Sequence, residues 1–403
     1  MSAGHSDDQK PAYRQATQLV HGGTERTQWG ETSEALILTS GYMYDSAEQA
    51  MARLAGDEPG YIYGRYNNPT VTMLEERLRL LEGAEACRFA ASGMGAISTM
   101  LTAPIQHGDR IVGANALFGS CRWILANQMP KFGVETEFVD GMNMEAWEKA
   151  LSKPTKLVLI ESPANPMLDG VDIKAVAELA HKAGAQLIVD NVFATPMLQS
   201  PFELGADWVV YSSTKHMDGQ GRVLAGTILG PEQDMVDIID PYLRHMGPCI
   251  SPFNAWVILK GLETLPLRVE KQAENAAILA DRMAEHPAVR ELRYPGRTDH
   301  PHYHVLSKQM KSGGTLIAFS LKGGQDAAFR YLNALKLVGI SNNLGDAKSL
   351  SCHPATTTHR SLTAEEQAQM GLDASWVRLS VGLEDAEDLS EDLLNALDEA
   401  AKA

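Results

Sequence analysis

Apolar and polar positions alternate with no sustained period over residues 1–70, which are rich in Gly, Tyr and Thr and read as an arm with loops. A helical period begins at Asn68-Pro69, since proline suits the first position of a helix, where its missing N–H is no loss. Leu74, Leu78 and Leu81 supply one apolar face, and Gly83 is placed to end the helix. Short apolar runs then recur at Arg110–Val112, Leu157–Ile160, Leu187–Val189 and Trp208–Tyr211, with amphipathic stretches such as Ile173–Ala183 between them. Strands alternating with helices predict an α/β domain, a mostly parallel sheet covered on both faces. The pattern weakens at Pro241–Pro266. Beyond about residue 270 a long helical stretch is followed by a strand at Gly314–Leu321, a helix at Gln325–Leu335 and a strand at Trp376–Val381, as in a smaller α+β domain. The expected organisation is an arm (1–70), a central α/β domain (71–265) and a C-terminal α+β domain (266–403). No internal repeat and no low-complexity segment interrupts it.

In such sheets ligands bind beyond the carboxyl ends of the strands. Three polar clusters fall there: Glu161-Ser162-Pro163, Asp190-Asn191 and Ser212-Ser213-Thr214-Lys215. A lysine at a strand end is ordinarily a solvated surface residue. Lys215, however, follows a buried-looking Trp-Val-Val-Tyr strand and small hydroxyl residues, and it is paired with an aspartate at a second strand end. That combination suits pyridoxal 5′-phosphate: the lysine carries the aldehyde as a Schiff base, Asp190 keeps the pyridine nitrogen protonated, and the hydroxyls face the phosphate. Ala91-Ser92-Gly93-Met94-Gly95-Ala96 precedes the helical run Ile97–Leu101. Small residues there let backbone N–H groups approach an anion, although Gly and Ser also mark many ordinary helix starts. No dinucleotide G-x-G-x-x-G occurs. The loop Tyr61–Pro69 gathers three tyrosines and Arg65. It reads as a rigid interface loop, as a phosphate clamp made by Arg65 and Tyr63, or as both if it enters a neighbouring subunit's site. Arg378, inside an apolar strand, requires a partner: a structural ion pair or the carboxylate of a substrate.

Composition narrows the possibilities. The chain has 403 residues, 44% apolar and 21% charged, as in ordinary globular proteins. A net charge of −16 argues against nucleic-acid binding, which needs clustered Lys and Arg. The four cysteines, Cys87, Cys121, Cys249 and Cys352, are scattered without a CxxC pair, pointing to a reducing compartment and to no cysteine-based metal site. Met1–Lys10 is polar, no apolar run has the length of a membrane span, and a cytoplasmic location is expected. His300-Pro301-His302-Tyr303-His304 matches no zinc pattern and reads as a surface loop; His353 and His359 read as structural or supporting residues.

Taken together, the ordered motifs identify the chain as similar to the Cys/Met-metabolism family of pyridoxal-phosphate enzymes, over nearly its whole length. They are Tyr63–Thr70, Ala91–Met94, Glu161–Pro166, Val189–Asn191, Ser212–Lys215, Gly345–Leu350 and Arg378–Asp385. The resemblance implies the aspartate aminotransferase-like fold (PLP fold type I). It implies that Lys215 is the Schiff-base lysine, that Asp190 pairs with the ring nitrogen, and that Gly93, Met94, Ser212 and Thr214 hold the phosphate. It also implies that Tyr63 and Arg65 complete the site of a partner subunit, in a dimer with shared sites that is expected to assemble into a tetramer, and that Asn165 and Arg378 bind the substrate carboxylate. Asn343 stands where relatives often have Ser, at a further carboxylate contact. Phe118 stands where many relatives have a ring-stacking tyrosine; it can stack but cannot transfer a proton, so acid–base work falls to Lys215, with Tyr63 as second candidate. Within the family the chain is most similar to the O-succinylhomoserine sulfhydrylases, by Asp218–Arg222, Ser251–Trp256, Leu259–Leu265 and Asn343–Asp346. That similarity implies γ-replacement of activated homoserine by sulfide in methionine biosynthesis. Cystathionine γ-synthase, O-acetylhomoserine sulfhydrylase, methionine γ-lyase and a non-catalytic regulator on the same fold stay open as alternatives.

Overall fold

The computed structural model describes residues 13–402, so the opening segment Met1–Lys10 lies outside the described residues. The helix expected after Asn68 runs Pro69–Glu82. The Asn68 side chain accepts from the Thr70 N–H, and Gly83 ends it at φ +67°, a left-handed conformation that a side chain would disfavour. Leu74, Leu78 and Leu81 are buried as their spacing required.

Seven strands form the larger sheet: β1 (Ala86–Ala90), β2 (Arg110–Ala114), β3 (Glu135–Val139), β4 (Leu157–Glu161), β5 (Gln186–Asp190), β6 (Trp208–Ser212) and β7 (Gly226–Gly230). Their order is β1-β7-β6-β5-β4-β2-β3. β3, β2, β4, β5 and β6 are mutually parallel, whereas β7 runs antiparallel to both β1 and β6. Sequence pattern located β2, β4, β5 and β6 but not β1, β3 or β7. Strands β4 and β5 in the sheet centre are apolar runs buried on both faces, whereas β3 at the edge carries two glutamates and gives no such run. Parallel order places the carboxyl ends of β4, β5 and β6 side by side.

The weak pattern at 241–266 is also helical: Asp240–Met246 and Pro252–Leu262, each with proline in its first turn. The helix Leu265–Ala284 then spans the junction between the domains expected to meet at 265/266. Leu265 and Val269 pack into the core of the larger sheet, and Ala276, Leu279 and Met283 into the second core. That second core covers a sheet ordered β10-β11-β12-β9-β8, made of β8 (Val289–Arg293), β9 (Leu316–Leu321), β10 (Gly339–Ile340), β11 (Leu350–Cys352) and β12 (Trp376–Ser380). The described part of the arm contributes only short helices and leaves Trp29, Leu38, Met43, Met51 and Leu54 more than 60% exposed.

One expectation needs correction. The histidine-rich segment is a surface loop only in part: Pro301 and His304 are exposed, but His300 is buried, and His302 Nδ1 accepts from the Gly170 N–H at 2.9 Å. No helix among the described residues is long and apolar enough to cross a membrane.

Candidate active site

The carboxyl ends of β4, β5 and β6 open into a cavity of about 500 Å³, roofed by segments from the smaller sheet. Its lining includes Gly93, Met94, Phe118, Asn165, Asp190, Ser212, Thr214, Lys215, Asn343 and Arg378, so ten of the side chains and backbone sites singled out in the sequence converge. Tyr63 and Arg65 do not line the cavity of their own chain. Tyr63 is 44% exposed, and Arg65 lies over the rings of Tyr63 and Tyr66 while donating to the carbonyl of Arg244.

Lys215 follows β6 in a tight turn whose shape is enforced from behind. Arg268 donates to the carbonyls of His216 and Gly261 at 2.7 Å, and His216 is hydrogen-bonded to Thr315 at 2.7 Å. Lys215 Nζ donates to Asn343 Oδ1 at 2.6 Å. Burial, with Arg378 nearby, brings this amine down to about 8. Asp190 ends β5 with its Oδ1 accepting from the Val192 N–H at 3.1 Å, and burial lifts its carboxyl to about 7. A cation held against it would return it to the ionised form.

On the opposite wall, Ser92 caps the helix Gly93–Thr102 by accepting from the Gly95 N–H, leaving the first N–H groups of that ten-residue helix turned to the cavity edge. A Cβ at residue 93 would come within 2.6 Å of Ser212, so only glycine lets this helix end approach β6 so closely. Helix N-terminus, Ser212 and Thr214 together make a cradle for a phosphate.

Arg378 sits in mid-β12, 2% exposed, on the cavity wall and with no ion pair among the described residues. It donates to Asn165 Oδ1 and to the Asn342 carbonyl, both at 2.9 Å, and its Nε–H is buried without a partner. An unpaired buried donor on a cation at the cavity wall is a receptor for an anion. The structural ion pair weighed for this arginine is absent among the described residues.

Sequence reasoning placed Glu161 at a ligand-binding strand end but gave it no role. It ends β4 in register with Asp190 on β5. Its two oxygens accept from the N–H groups of Phe118 and Asn165, at 2.8 and 2.9 Å, so one carboxylate ties two walls of the cavity together. Burial and the neighbouring Asp190 push it well above the usual carboxylate range. The signal was present: a lone acid closing the apolar run Leu157–Ile160, as Asp190 closes its own. Thr358, which lines the cavity and whose carbonyl approaches Gly119, comes from a loop with no periodic signal. His359 is held neutral, brought down to about 4 by burial and by Arg378. His353 is bonded to Thr356 and to the Ala374 carbonyl and has a structural place.

An amine, a buried carboxylate opposite it, a glycine-opened phosphate cradle and an apolar ring wall at Phe118 fit pyridoxal 5′-phosphate in size and chemistry. The comparisons agree. Residues 16–398 match the family of Cys/Met metabolism PLP-dependent enzymes. The chain is 52% identical over 387 residues to the O-succinylhomoserine sulfhydrylase of Mycobacterium tuberculosis, covering 95% of each, and 41% identical over 390 residues to the L-methionine gamma-lyase of Treponema denticola, covering 96% of this chain and 97% of that one. A solved structure from Campylobacter jejuni that contains N′-pyridoxyl-lysine-5′-monophosphate superposes with a TM-score of 0.91 at 30% identity, covering 96% of this chain and all of the other.

Proposed function

The chain belongs to the Cys/Met metabolism PLP-dependent enzymes, and from that premise we propose that it makes homocysteine from O-succinylhomoserine and sulfide, releasing succinate. A C–S bond forms at Cγ as the C–O bond to succinate breaks, with no change of oxidation state. The observation that carries the reading is the 52% identity to an O-succinylhomoserine sulfhydrylase along nearly the whole chain, joined to an intact set of Lys215, Asp190, Asn165 and Arg378 around one cavity.

Pyridoxal 5′-phosphate, when bound, supplies an electron sink conjugated to the substrate's Cα. In our reading Lys215 would hold it covalently, Asp190 would pair with its ring nitrogen, Phe118 would stack on its ring, and Gly93, Met94, Ser212 and Thr214 would hold its phosphate. Arg378 and Asn165 bind the substrate α-carboxylate. Lys215 Nζ would take the Cα proton and move a proton at Cβ, while Cγ exchanges succinate for sulfur; an amine near 8 suits a base that must both accept and return a proton around neutrality. Asn343 Oδ1 keeps that amine at the wall shared with Arg378. Glu161 keeps Phe118 and Asn165 at one spacing.

The product decides between this reading and its relatives. With each activated homoserine as donor, and sulfide and cysteine supplied at equal concentration, homocysteine from the succinyl ester is the expected main product. Cystathionine as main product would move the assignment to cystathionine γ-synthase. Preference for the acetyl ester would move it to O-acetylhomoserine sulfhydrylase, and release of methanethiol from methionine to methionine γ-lyase.

We further propose a homodimer that shares its sites and pairs into a tetramer, working in the cytoplasm. Tyr63 and Arg65 are absent from their own cavity, and the arm around them is strongly exposed. A second copy would cover those apolar side chains and bring the guanidinium to a phosphate, its natural bidentate partner. Arg65→Ala and Lys215→Ala subunits, each inactive alone, are expected to regain activity when mixed, because one site of each hybrid then has neither defect. No recovery in verified hybrids would reject the shared site.

A further inference from the structure

Arg378 and Asn165 come from different domains, so the pair keeps its geometry only if the loop carrying Asn165 is fixed against β12. A second contact runs parallel to it. Arg293, the last residue of β8, donates to Asp169 Oδ1 at 2.8 Å and to Glu291 Oε1 at 2.7 Å while its guanidinium lies 5.0 Å from the ring centre of Trp376. Asp169 is four residues beyond Asn165 on the same loop. It closes that loop, its carbonyl accepting from the Ala164 N–H at 2.8 Å, and the Leu168 N–H reaches the Ala164 carbonyl at 2.8 Å. Trp376 is two residues before Arg378 on β12, and alternate residues of a strand share a face. Arg293 therefore joins the neighbours of Asn165 to the neighbour of Arg378. The space between is filled by Met167, Leu168 and Trp376 in one apolar cluster.

We propose that Arg293, acting through Asp169 and Trp376, is a positioning residue that sets the affinity of this enzyme for its amino-acid substrate. The proposal rests on the reading of Arg378 and Asn165 as the carboxylate site. Arg293 does not line the cavity and touches no reacting group. An exposed ion pair would have little effect, but here the two side chains are only 16% and 19% exposed and the guanidinium is stacked as well. A planar cation can stack on an indole and still bond two carboxylates; an ammonium cannot do all three.

The test uses the cofactor-loaded enzyme with Arg293→Met, Arg293→Lys and Asp169→Asn, and Arg378→Lys as a control. Four quantities are measured: the cofactor absorbance, the melting temperature, KM and kcat with O-succinylhomoserine and sulfide, and the dissociation constant of an unreactive amino acid such as L-norleucine, read from the cofactor spectrum. Arg293→Met is expected to raise the donor KM and the norleucine dissociation constant together, by about 10-fold, a range reached by substitutions that act through intermediaries. Arg293→Lys should fall between it and the parent, and kcat and the sulfide KM should stay near the parent's. A lowered melting temperature with both donor constants unchanged would make Arg293 merely structural and overturn the proposal. If Arg293→Met does not accumulate folded, Arg293→Lys and Asp169→Asn decide by the same readouts. A raised donor KM in Arg378→Lys alone would overturn the positioning role of Arg293 and leave the carboxylate site standing, whereas no change in Arg378→Lys would overturn both.

Discussion

Lys215→Ala is expected to lower kcat by about 10³-fold or more, since it removes both the covalent anchor and the base, and a positioned base alone is worth about 10²–10⁴-fold. The parent protein should be yellow, and borohydride should discharge the colour and leave the added mass on the Lys215 peptide. The variant should take up the cofactor without that linkage, because Asp190, the cradle at Gly93 and the wall at Phe118 are untouched. The fold should survive: among the described residues the Lys215 side chain bonds only to Asn343, and its turn is held by Arg268 and His216 from behind. Turnover by Lys215→Ala at the parent's rate would defeat the proposed mechanism outright. The pH dependence carries a signature as well. The amine lies near 8 because burial and Arg378 disfavour its charged form. In Arg378→Lys a cation remains at the wall, so the limb of the kcat profile that reports Lys215 should move little.

The second large effect belongs to Arg378 itself. Charge-assisted hydrogen bonds contribute about 1.5–3 kcal/mol each. Loss of a two-bond contact to a carboxylate therefore costs roughly 10²–10⁴-fold in kcat/KM, at about 1.4 kcal/mol per tenfold. Arg378→Lys keeps the charge but gives up the planar fork that now reaches Asn165 and the Asn342 carbonyl while leaving Nε–H unpaired. The expected result is a raised KM for the amino-acid donor, an unchanged KM for sulfide, which has no carboxylate, and an unchanged cofactor absorbance. A lost absorbance band with an unchanged donor KM would show that Arg378 serves the cofactor or the fold. Full truncation is the poorer test: it would open a hole at one of the largest fully buried side chains of the protein and confuse binding with folding.

Sequence by itself determined the parts of this protein whose cause is local. Asn68-Pro69 and Gly83 bound a helix because capping and left-handed backbone are properties of single residues. The apolar runs within β2, β4, β5 and β6 announced parallel strands, and the polar residues at their ends announced a site, because a strand buried on both faces has no other place for Asp190 or Lys215. The ordered motifs also carried the family. Tertiary structure alone decided what depends on residues far apart in the chain. Arg378 meets Asn165 across 213 positions and Lys215 meets Asn343 across 128, and no periodicity encodes either meeting. Glu161 could be placed at a strand end but had no role until register set it beside Asp190 and the fold brought Phe118 and Asn165 to its two oxygens. β3 escaped notice because an edge strand need not be apolar throughout, and β1 and β7 because their short apolar runs are broken by Arg88 or closed by glycines. His300, polar enough to suggest solvent, is buried, and His302 half-buried, because the fold sets them against the loop at Gly170; their Nδ1 atoms accept from the N–H groups of His302 and Gly170. The chemistry of each group could thus be read from its own strand end, while its partner was set by packing between elements that only the folded chain brings together.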